Sequence, residues 1–283
     1  MLRRTWFKVT GLSVGLSSYP ISQVRATLQH QVGEASDKPY LAPVILTAAD
    51  DPWVREVAQR LKVRWSMGAI FWEPLRAKMG SIPEDLPAVQ VVPDRREDLQ
   101  KTLSGAEVIV HFIPQREDQT AEDRVEEASR LTYQLLQGAV AAGVKAAVLM
   151  SSLKMMEPYQ EDFLVDEDWQ PAARGPEFAL PEYLAEFVCR EFAREKLLKV
   201  LVLRLGQIVD KFPPLEEARR LAWVLREDAL KALEAAVEVV LGPRRENLPW
   251  WNVLHVGGAS PPSRFAVRRA ERLLGYRPTP YPA

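Results

Sequence analysis

The stretch from Val144 to Ser152, with the sequence VKAAVLMSS, constrains the fold more than any other part of the chain. Its five consecutive apolar residues are typical of a strand that is buried on both faces of a sheet. A long amphipathic segment, residues 123–142, precedes the run and is closed by Gly143. A helix, a glycine and a buried strand make half of a βαβ unit, so we expect a parallel sheet. Ser151 and Ser152 then end a strand at the edge where such sheets bind ligands; two serines that merely lead into a loop are the alternative.

Similar apolar runs recur along the chain, with helical patterns between them. We predict strands at residues 5–10, 44–47, 88–92, 107–112, 145–150 and 199–204. Strands that alternate with helices predict an α/β fold, here a Rossmann-like, doubly wound parallel sheet. We expect one domain over residues 1–283, with residues 207–283 contributing most of a smaller C-terminal substrate-side lobe. Residues 63–86 fit no clear element and are interpreted as an insertion that packs over one edge of the sheet.

Composition limits the classes of function. The chain has 283 residues, of which 27% are charged, and a net charge of −1, so we expect neither nucleic acid nor an anionic membrane as a partner. No apolar run approaches the roughly 20 residues of a membrane helix, and the basic start is not followed by a signal-peptide pattern. The single cysteine, Cys189, fits a reducing compartment, so we expect a cytoplasmic protein. The three histidines lie far apart in the sequence, and no metal site is expected.

A glycine turn follows the first predicted strand. Gly11 and Gly15 stand between that strand and an amphipathic stretch at residues 21–31. Glycines let the backbone approach a phosphate, and a helix N-terminus supplies N–H donors, so this turn suits a dinucleotide pyrophosphate. An ordinary tight turn is an equally good interpretation. An acid that binds the ribose is expected after the second strand, but Thr47 stands there.

Five motifs follow one another along the chain. They are Thr10–Ser17, Pro93–His111, Ala141–Ser152, Leu203–Gly206 and Leu274–Pro278. In this order and spacing they resemble the extended short-chain dehydrogenase/reductase family, the NAD-dependent epimerases and dehydratases. The resemblance covers nearly the whole chain apart from residues 63–86.

The resemblance implies a set of functional residues. NAD or NADP would be bound by Thr10, Gly11, Gly15, Ser17, Asp94 and Ile113. Ser152 would hold the substrate oxygen, and Tyr183 would pass its proton while the nicotinamide exchanges hydride. The partner would be a small sugar-like molecule, with a homodimer as a candidate assembly.

Two features of the C-terminal half admit alternatives. This half faintly resembles uronate dehydrogenases, in which an arginine of the equivalent stretch meets the acid group of the substrate; Arg204 stands there. An arginine that is paired inside the fold is the alternative. The pair Trp250–Trp251 is interpreted as packing rather than as the lining of a pocket.

The chain departs from the family at four positions. Phe187 stands where the family has a catalytic lysine, four residues after Tyr183, and Ala128 replaces a common asparagine. Ser17 replaces the third glycine of the turn, and Thr47 replaces the ribose acid. A cation one helical turn from a tyrosine stabilises the phenolate, and Phe187 offers no charge.

Three hypotheses follow. The first is an NAD(P)-dependent oxidoreductase or epimerase/dehydratase that acts on a hydroxylated, sugar-like substrate. The second is a catalytically silent family member that binds a nucleotide or a protein partner, which Phe187 and Thr47 favour. The third is a purely structural subunit, against which the glycines at positions 11 and 15 argue.

Overall fold

Seven strands form one parallel sheet in the computed structural model, which describes residues 42–48, 51–72, 86–91, 95–114, 119–175, 179–258 and 263–282. The strands are β1 (Val44–Leu46), β2 (Met67–Trp72), β3 (Ala88–Val91), β4 (Val108–His111), β5 (Ala146–Ser152), β6 (Lys199–Leu205) and β9 (Trp251–Val256). Their order across the sheet is β3-β2-β1-β4-β5-β6-β9. Two shorter strands, β7 (Gln207–Val209) and β8 (Trp223–Leu225), pair with each other in a separate small sheet.

Helices cover both faces of the large sheet. The helices are α1 (Pro52–Leu61), α2 (Arg96–Thr102), α3 (Ala121–Ala142), α4 (Leu180–Arg194), α5 (Leu215–Arg220), α6 (Arg226–Leu241) and α7 (Arg268–Leu274). Buried residues of α1, α6 and α7 form one apolar cluster against the sheet, and those of α2, α3 and α4 form another on the opposite face. Alternate residues of each strand feed the two clusters, as the two-residue period of a strand requires. The predicted doubly wound α/β fold is therefore confirmed.

Most predicted strands are present. Strands overlap the predicted residues 44–47, 88–92, 107–112, 145–150 and 199–204, and each pairs in parallel with its neighbours. The predicted strand at residues 5–10 lies outside the described residues. All described residues belong to one compact unit, residues 34–283, and the extension of this domain to residue 1 stays a prediction.

The interpretation of residues 63–86 as an insertion was wrong for residues 67–72, while residues 73–85 lie outside the described residues. Met67–Trp72 is β2, a buried strand that pairs on one side with β1 and on the other with β3. The opening Met-Gly-Ala hides the strand from a reading based on β-branched residues, although all six residues are buried. Burial on both faces, rather than strand propensity, decides the structure here.

The position of β1 also corrects the reading of Thr47. Val44 pairs with Met67 of β2 and with Val108 of β4, so β1 holds the centre of the sheet rather than the second place. Thr47 therefore lies at the start of the central turn that leads into α1, and not at the end of a second strand. A ribose acid is expected after the second strand, so Thr47 was the wrong position at which to look for it.

Residues 207–283 contribute both to the large sheet and to the structure beyond it, and a substrate-side lobe formed by them stays a prediction. Within residues 207–283, α6 packs on the sheet and β9 is its edge strand. The pair β7–β8, helix α5 and a third apolar cluster lie beyond the carboxyl end of β5 and β6. That cluster includes Leu153, Met155 and Phe265.

Candidate functional site

The point where the strand order reverses lies between β1 and β4. Thr47 and His111, at the carboxyl ends of these strands, are fully or almost fully buried. The Thr47 hydroxyl lies 2.9 Å from His111 Nδ1, and His111 Nε2 lies 2.9 Å from the hydroxyl of Thr132 on α3. The backbone N–H of Phe112 donates to the same Thr47 oxygen at 2.9 Å. Polar contacts among buried groups thus join two strands and a helix.

Burial also fixes the charge of His111. Burial lowers the pKa of His111 from 6.5 to about 3, so the ring is neutral near pH 7. A neutral imidazole with both nitrogens held by threonine hydroxyls serves to connect elements. We assign this ring no role in chemistry.

The turn after β1 is the place where a dinucleotide pyrophosphate sits in folds of this kind. Ala48 has a φ of +54°, the left-handed conformation that favours glycine. Asp51 then caps α1, and its carboxylate accepts a hydrogen bond from the N–H of Trp53 at 2.7 Å. A negative side chain therefore occupies the helix N-terminus that would face the phosphates. The described residues of this turn do not fit a dinucleotide.

Most of the predicted cofactor residues cannot be compared with the structure. Thr10, Gly11, Gly15, Ser17 and Asp94 are outside the described residues, so their role stays a prediction. Ile113 is described; it follows β4 and packs, half-buried, against the apolar cluster of α2, α3 and α4.

The two serines that end β5 lie on opposite faces of the strand. The Ser151 hydroxyl donates to Glu186 Oε1 at 2.6 Å on the α4 side. The Ser152 oxygen accepts a hydrogen bond from the N–H of Lys154 at 3.2 Å and so caps a short 3₁₀ turn. Ser152 is half-buried, at the predicted edge of the sheet. Its predicted catalytic role stays untested.

Arg204 and Glu186 form a buried ion pair beneath α4. Arg204 Nε and Nη2 donate to the two carboxylate oxygens of Glu186 at 2.9 and 2.7 Å, and both side chains are 4% exposed. The remaining guanidinium nitrogen, Nη1, contacts only the sulfur of Met156, at 3.7 Å, among the contacts found in the described residues. This geometry favours the alternative that Arg204 is paired within the fold, yet it leaves one edge of the guanidinium available.

A cleft of about 520 Å³ opens between α4 and β9, and we call it the α4–β9 cleft. Its aromatic lining consists of Trp169, Tyr183, Phe187 and Trp251. A volume of this size falls within the range of small-molecule sites, in which apolar rings are combined with a few polar groups. Trp251 lines the cleft and also packs, half-buried, against the apolar cluster of α2, α3 and α4, in agreement with the packing interpretation.

The charged lining of the cleft is almost fully paired. Arg204 is held by Glu186, and Arg269 is held by Asp168 and by Glu167, the latter at 3.7 Å. Arg190, which is exposed and also lines the cleft, has no ion pair within the described part of the chain. Burial raises the pKa of Glu167, while its contact with Asp168 raises the pKa of Arg269. The cleft therefore presents paired hydrogen-bonding groups beside aromatic faces, with one further cation.

The structure brings Tyr183 and Arg204 to the same cleft but not Ser152. Tyr183 lies in the first turn of α4, and Phe187 follows one turn later with 53% of its surface exposed. Since i and i+4 share a helix face, the position predicted for a lysine does face the same space as Tyr183. The sequence analysis missed Trp169 and Glu186, because neither belongs to a motif. The alternative of an Arg204 paired inside the fold did imply a buried acid beside it, but not which acid.

The described residues contain neither a membrane-spanning helix nor a metal-binding cluster. No helix there is both long and apolar enough to cross a bilayer. No group of three or more His, Cys, Asp or Glu side chains is arranged there to hold a metal ion.

Comparison with protein families gives one match. The model of the NAD dependent epimerase/dehydratase family matches residues 72–256, well over half of the chain. The match starts at the last residue of β2, so the β1–α1 turn lies outside it. A comparison with curated proteins found no match.

Solved structures show the same fold at low identity. Uronate dehydrogenase from Agrobacterium tumefaciens has a TM-score of 0.67 and 17% identity, over 83% of this chain and 84% of that one. DesIV, a dTDP-glucose 4,6-dehydratase from Streptomyces venezuelae solved with NAD and TYD bound, has a TM-score of 0.65 and 16% identity, over 84% and 92%. UDP-glucuronic acid 4-epimerase from Bacillus cereus, solved with UDP-glucuronic acid and NAD, has a TM-score of 0.63 and 14% identity, over 84% and 94%.

Proposed function

The chain belongs to the NAD dependent epimerase/dehydratase family, a family of NAD(P)-dependent enzymes with sugar-like substrates, and we propose that it binds a hydroxylated, sugar-like molecule in the α4–β9 cleft. The observation that carries the proposal is the combination of four aromatic side chains with paired charged groups around a cleft of about 520 Å³. Sugar hydroxyls both donate and accept hydrogen bonds, and the C–H faces of a sugar ring pack against aromatic rings.

The residues have distinct roles in this proposal. Trp169 and Trp251 supply the faces against which the ring packs. Asp168 supplies an acceptor for hydroxyls, and Nη1 of Arg204, whose contact is the Met156 sulfur, supplies a donor. Arg190, which is exposed, would hold a carboxylate if the sugar carries one, as does the UDP-glucuronic acid in the solved complex of the 4-epimerase.

Calorimetric titration with galactose, glucose, galacturonate and glucuronate tests the proposal. We expect saturable binding of at least one of these sugars and about tenfold weaker binding, equivalent to about 1.4 kcal/mol, after Phe187→Ala. Arg190→Gln should weaken the binding of uronates and leave neutral sugars unaffected. Arg194→Gln, a matched change on the same helix outside the cleft, should change neither. Equal losses in Arg190→Gln and Arg194→Gln, or no binding of any sugar, contradict the proposal.

A second candidate function is catalysis of the family's type, with NAD or NADP held by the predicted turn at Gly11 and Gly15. Tyr183 supports it, because its phenol lines the cleft and would exchange a proton with a substrate oxygen. Phe187 opposes it, because no cation stands one turn away to stabilise the phenolate. A silent member that only binds its ligand is therefore the form we favour.

Activity assays on three proteins separate the two forms. Wild type, Phe187→Lys and Tyr183→Phe are incubated with the four sugars and each nicotinamide cofactor. A silent wild type and an active Phe187→Lys variant support a lapsed enzyme. Turnover by wild type that is lost in Tyr183→Phe establishes catalysis and contradicts the silent form.

We also propose a cellular location and an oligomeric state. A cytoplasmic protein is supported by the single cysteine, which suits a reducing compartment. The near-zero net charge supports the absence of nucleic acid partners, and a homodimer stays a prediction. Size-exclusion chromatography with light scattering would report the number of copies.

A further inference from the structure

Among the described residues, which resume at Asp51, the start of α1 has no backbone donor left for a phosphate. In folds of this kind, the N–H groups of the first helical turn bind the anion because they lack intrahelical partners. Here the N–H of Asp51 donates to the carbonyl of Ala48 at 3.0 Å. Position 52 is proline, which has no N–H at all. The chain itself thus removes the first two donors.

The next donors are used by Asp51. Its carboxylate oxygen Oδ1 accepts from the N–H of Trp53 at 2.7 Å and from that of Val54 at 3.4 Å. The N–H of Arg55 donates to the carbonyl of Asp51 at 3.1 Å, the first bond of the helix ladder. Every N–H from Asp51 to Arg55 therefore has a partner or does not exist.

The negative charge of the Asp51 carboxylate also disfavours a phosphate at the N-terminus of α1. A helix N-terminus attracts anions through its dipole, and the Asp51 carboxylate satisfies that attraction from within the chain. A phosphate would have to displace the carboxylate from its two hydrogen bonds and then remain beside it, where like charges repel. The match to the family model begins only after this turn, at Trp72.

We infer that the Asp51 carboxylate takes the place of a dinucleotide pyrophosphate at the N-terminus of α1, so that the central turn of this sheet binds neither NAD nor NADP. The inference concerns the turn after β1 and does not depend on the sugar proposed for the α4–β9 cleft. The predicted glycine turn at Gly11 and Gly15 is a different segment, which lies outside the described residues and to which the inference does not apply.

Amide chemical shifts of the full chain test the inference, with NAD, NADP and inorganic pyrophosphate as probes. In wild type, the amides of Trp53 and Val54 should not shift at millimolar probe. In Asp51→Gly both amides lose their acceptor, and they should shift in a saturable way with pyrophosphate. Asp51→Ser, which keeps a neutral cap, guards against a variant that fails to fold; its two amides should also shift in a saturable way with pyrophosphate, which those of wild type should not.

A matched control is Thr120→Gly, which removes the N-cap of a different helix, α3. Its Trp53 and Val54 amides should behave as in wild type. Saturable shifts of these amides in wild type would overturn the inference. Asp51→Gly amides that ignore every probe would also overturn it, because the carboxylate would then not be what closes the turn. Shifts confined to other amides would point to a different nucleotide site and leave the inference standing.

Discussion

At the scale of single residues, the buried pair of Glu186 and Arg204 gives the sharpest test of the architecture around the cleft. Glu186→Gln leaves the Arg204 guanidinium buried without its anion, so we expect a loss of about 3–5 kcal/mol in the free energy of unfolding. Urea denaturation measures the loss. Glu191→Gln, on the same helix, removes an exposed pair with Arg194 and should cost at most about 1 kcal/mol.

A double variant checks that the pairing, rather than either side chain alone, is responsible. Glu186→Leu/Arg204→Met replaces both charges by apolar groups of similar size, and should be more stable than Glu186→Gln. A double variant as unstable as the sum of the two single changes would contradict a coupled pair.

The pH dependence of stability reports on His111. The pKa of this ring is about 3 in the folded protein and about 6.5 in the unfolded chain. Between these values the unfolded state binds more protons, so stability is complete above pH 6.5 and falls as the pH drops toward 3. The expected slope from this one group is up to about 1.4 kcal/mol per pH unit.

His111→Gln removes that slope, which unfolding measured between pH 7 and 4.5 would detect. His255 has a similarly low pKa, also about 3 because of burial, and keeps its own slope in the variant. Burial raises the pKa values of Glu167 and Glu182, and these acids act with the opposite sign in both proteins. Identical pH profiles of wild type and His111→Gln would contradict the assigned neutral state.

At the scale of elements, the ends of α3 and α4 offer a matched pair of changes. Helix α4 ends with Lys196 at φ +55°, where the N–H of Leu197 donates to the carbonyl of Phe192 at 3.0 Å. This is a Schellman end, a geometry that glycine adopts without strain. Because Lys196 is exposed, Lys196→Gly should stabilise the protein by about 1 kcal/mol.

The reverse change belongs to α3. Gly143 ends that helix at φ +81°, and an added Cβ would meet nothing within 4 Å. Gly143→Ala should therefore destabilise by about 1 kcal/mol through backbone conformation alone. Thermal unfolding of both variants checks the pair, and shifts of the same sign would show that the helix ends do not control the effect.

At the scale of the whole molecule, the sequence predicted the layers better than the site. Runs such as Val144–Ser152 are buried on both faces, so apolar character alone locates them. β2 was not predicted, because Met-Gly-Ala has low strand propensity. Without β2, the predicted strands were assigned to the wrong positions in the sheet. The central turn was therefore sought at Gly11 instead of Thr47.

The site was harder to predict because it depends on distant contacts. Tyr183 and Arg204 were found from local motifs, and they do line one cleft. Trp169 and Trp251 are 82 positions apart in the numbering, and nothing local in the sequence brings them together. The position of Asp51 at the switch point of the sheet follows only from the pairing of β1 with β4, which the sequence does not show.

The central claim is that this family member keeps a ligand cleft while its own carboxylate occupies the phosphate position. The most direct measurement is a crystal structure of the full chain grown with galacturonate and NAD together at millimolar concentration. We predict galacturonate packed against Trp169 and Trp251, with the Asp51 carboxylate still bound to the N–H of Trp53. NAD with its phosphates on the N–H groups of Trp53 and Val54, and an empty α4–β9 cleft, would contradict the account.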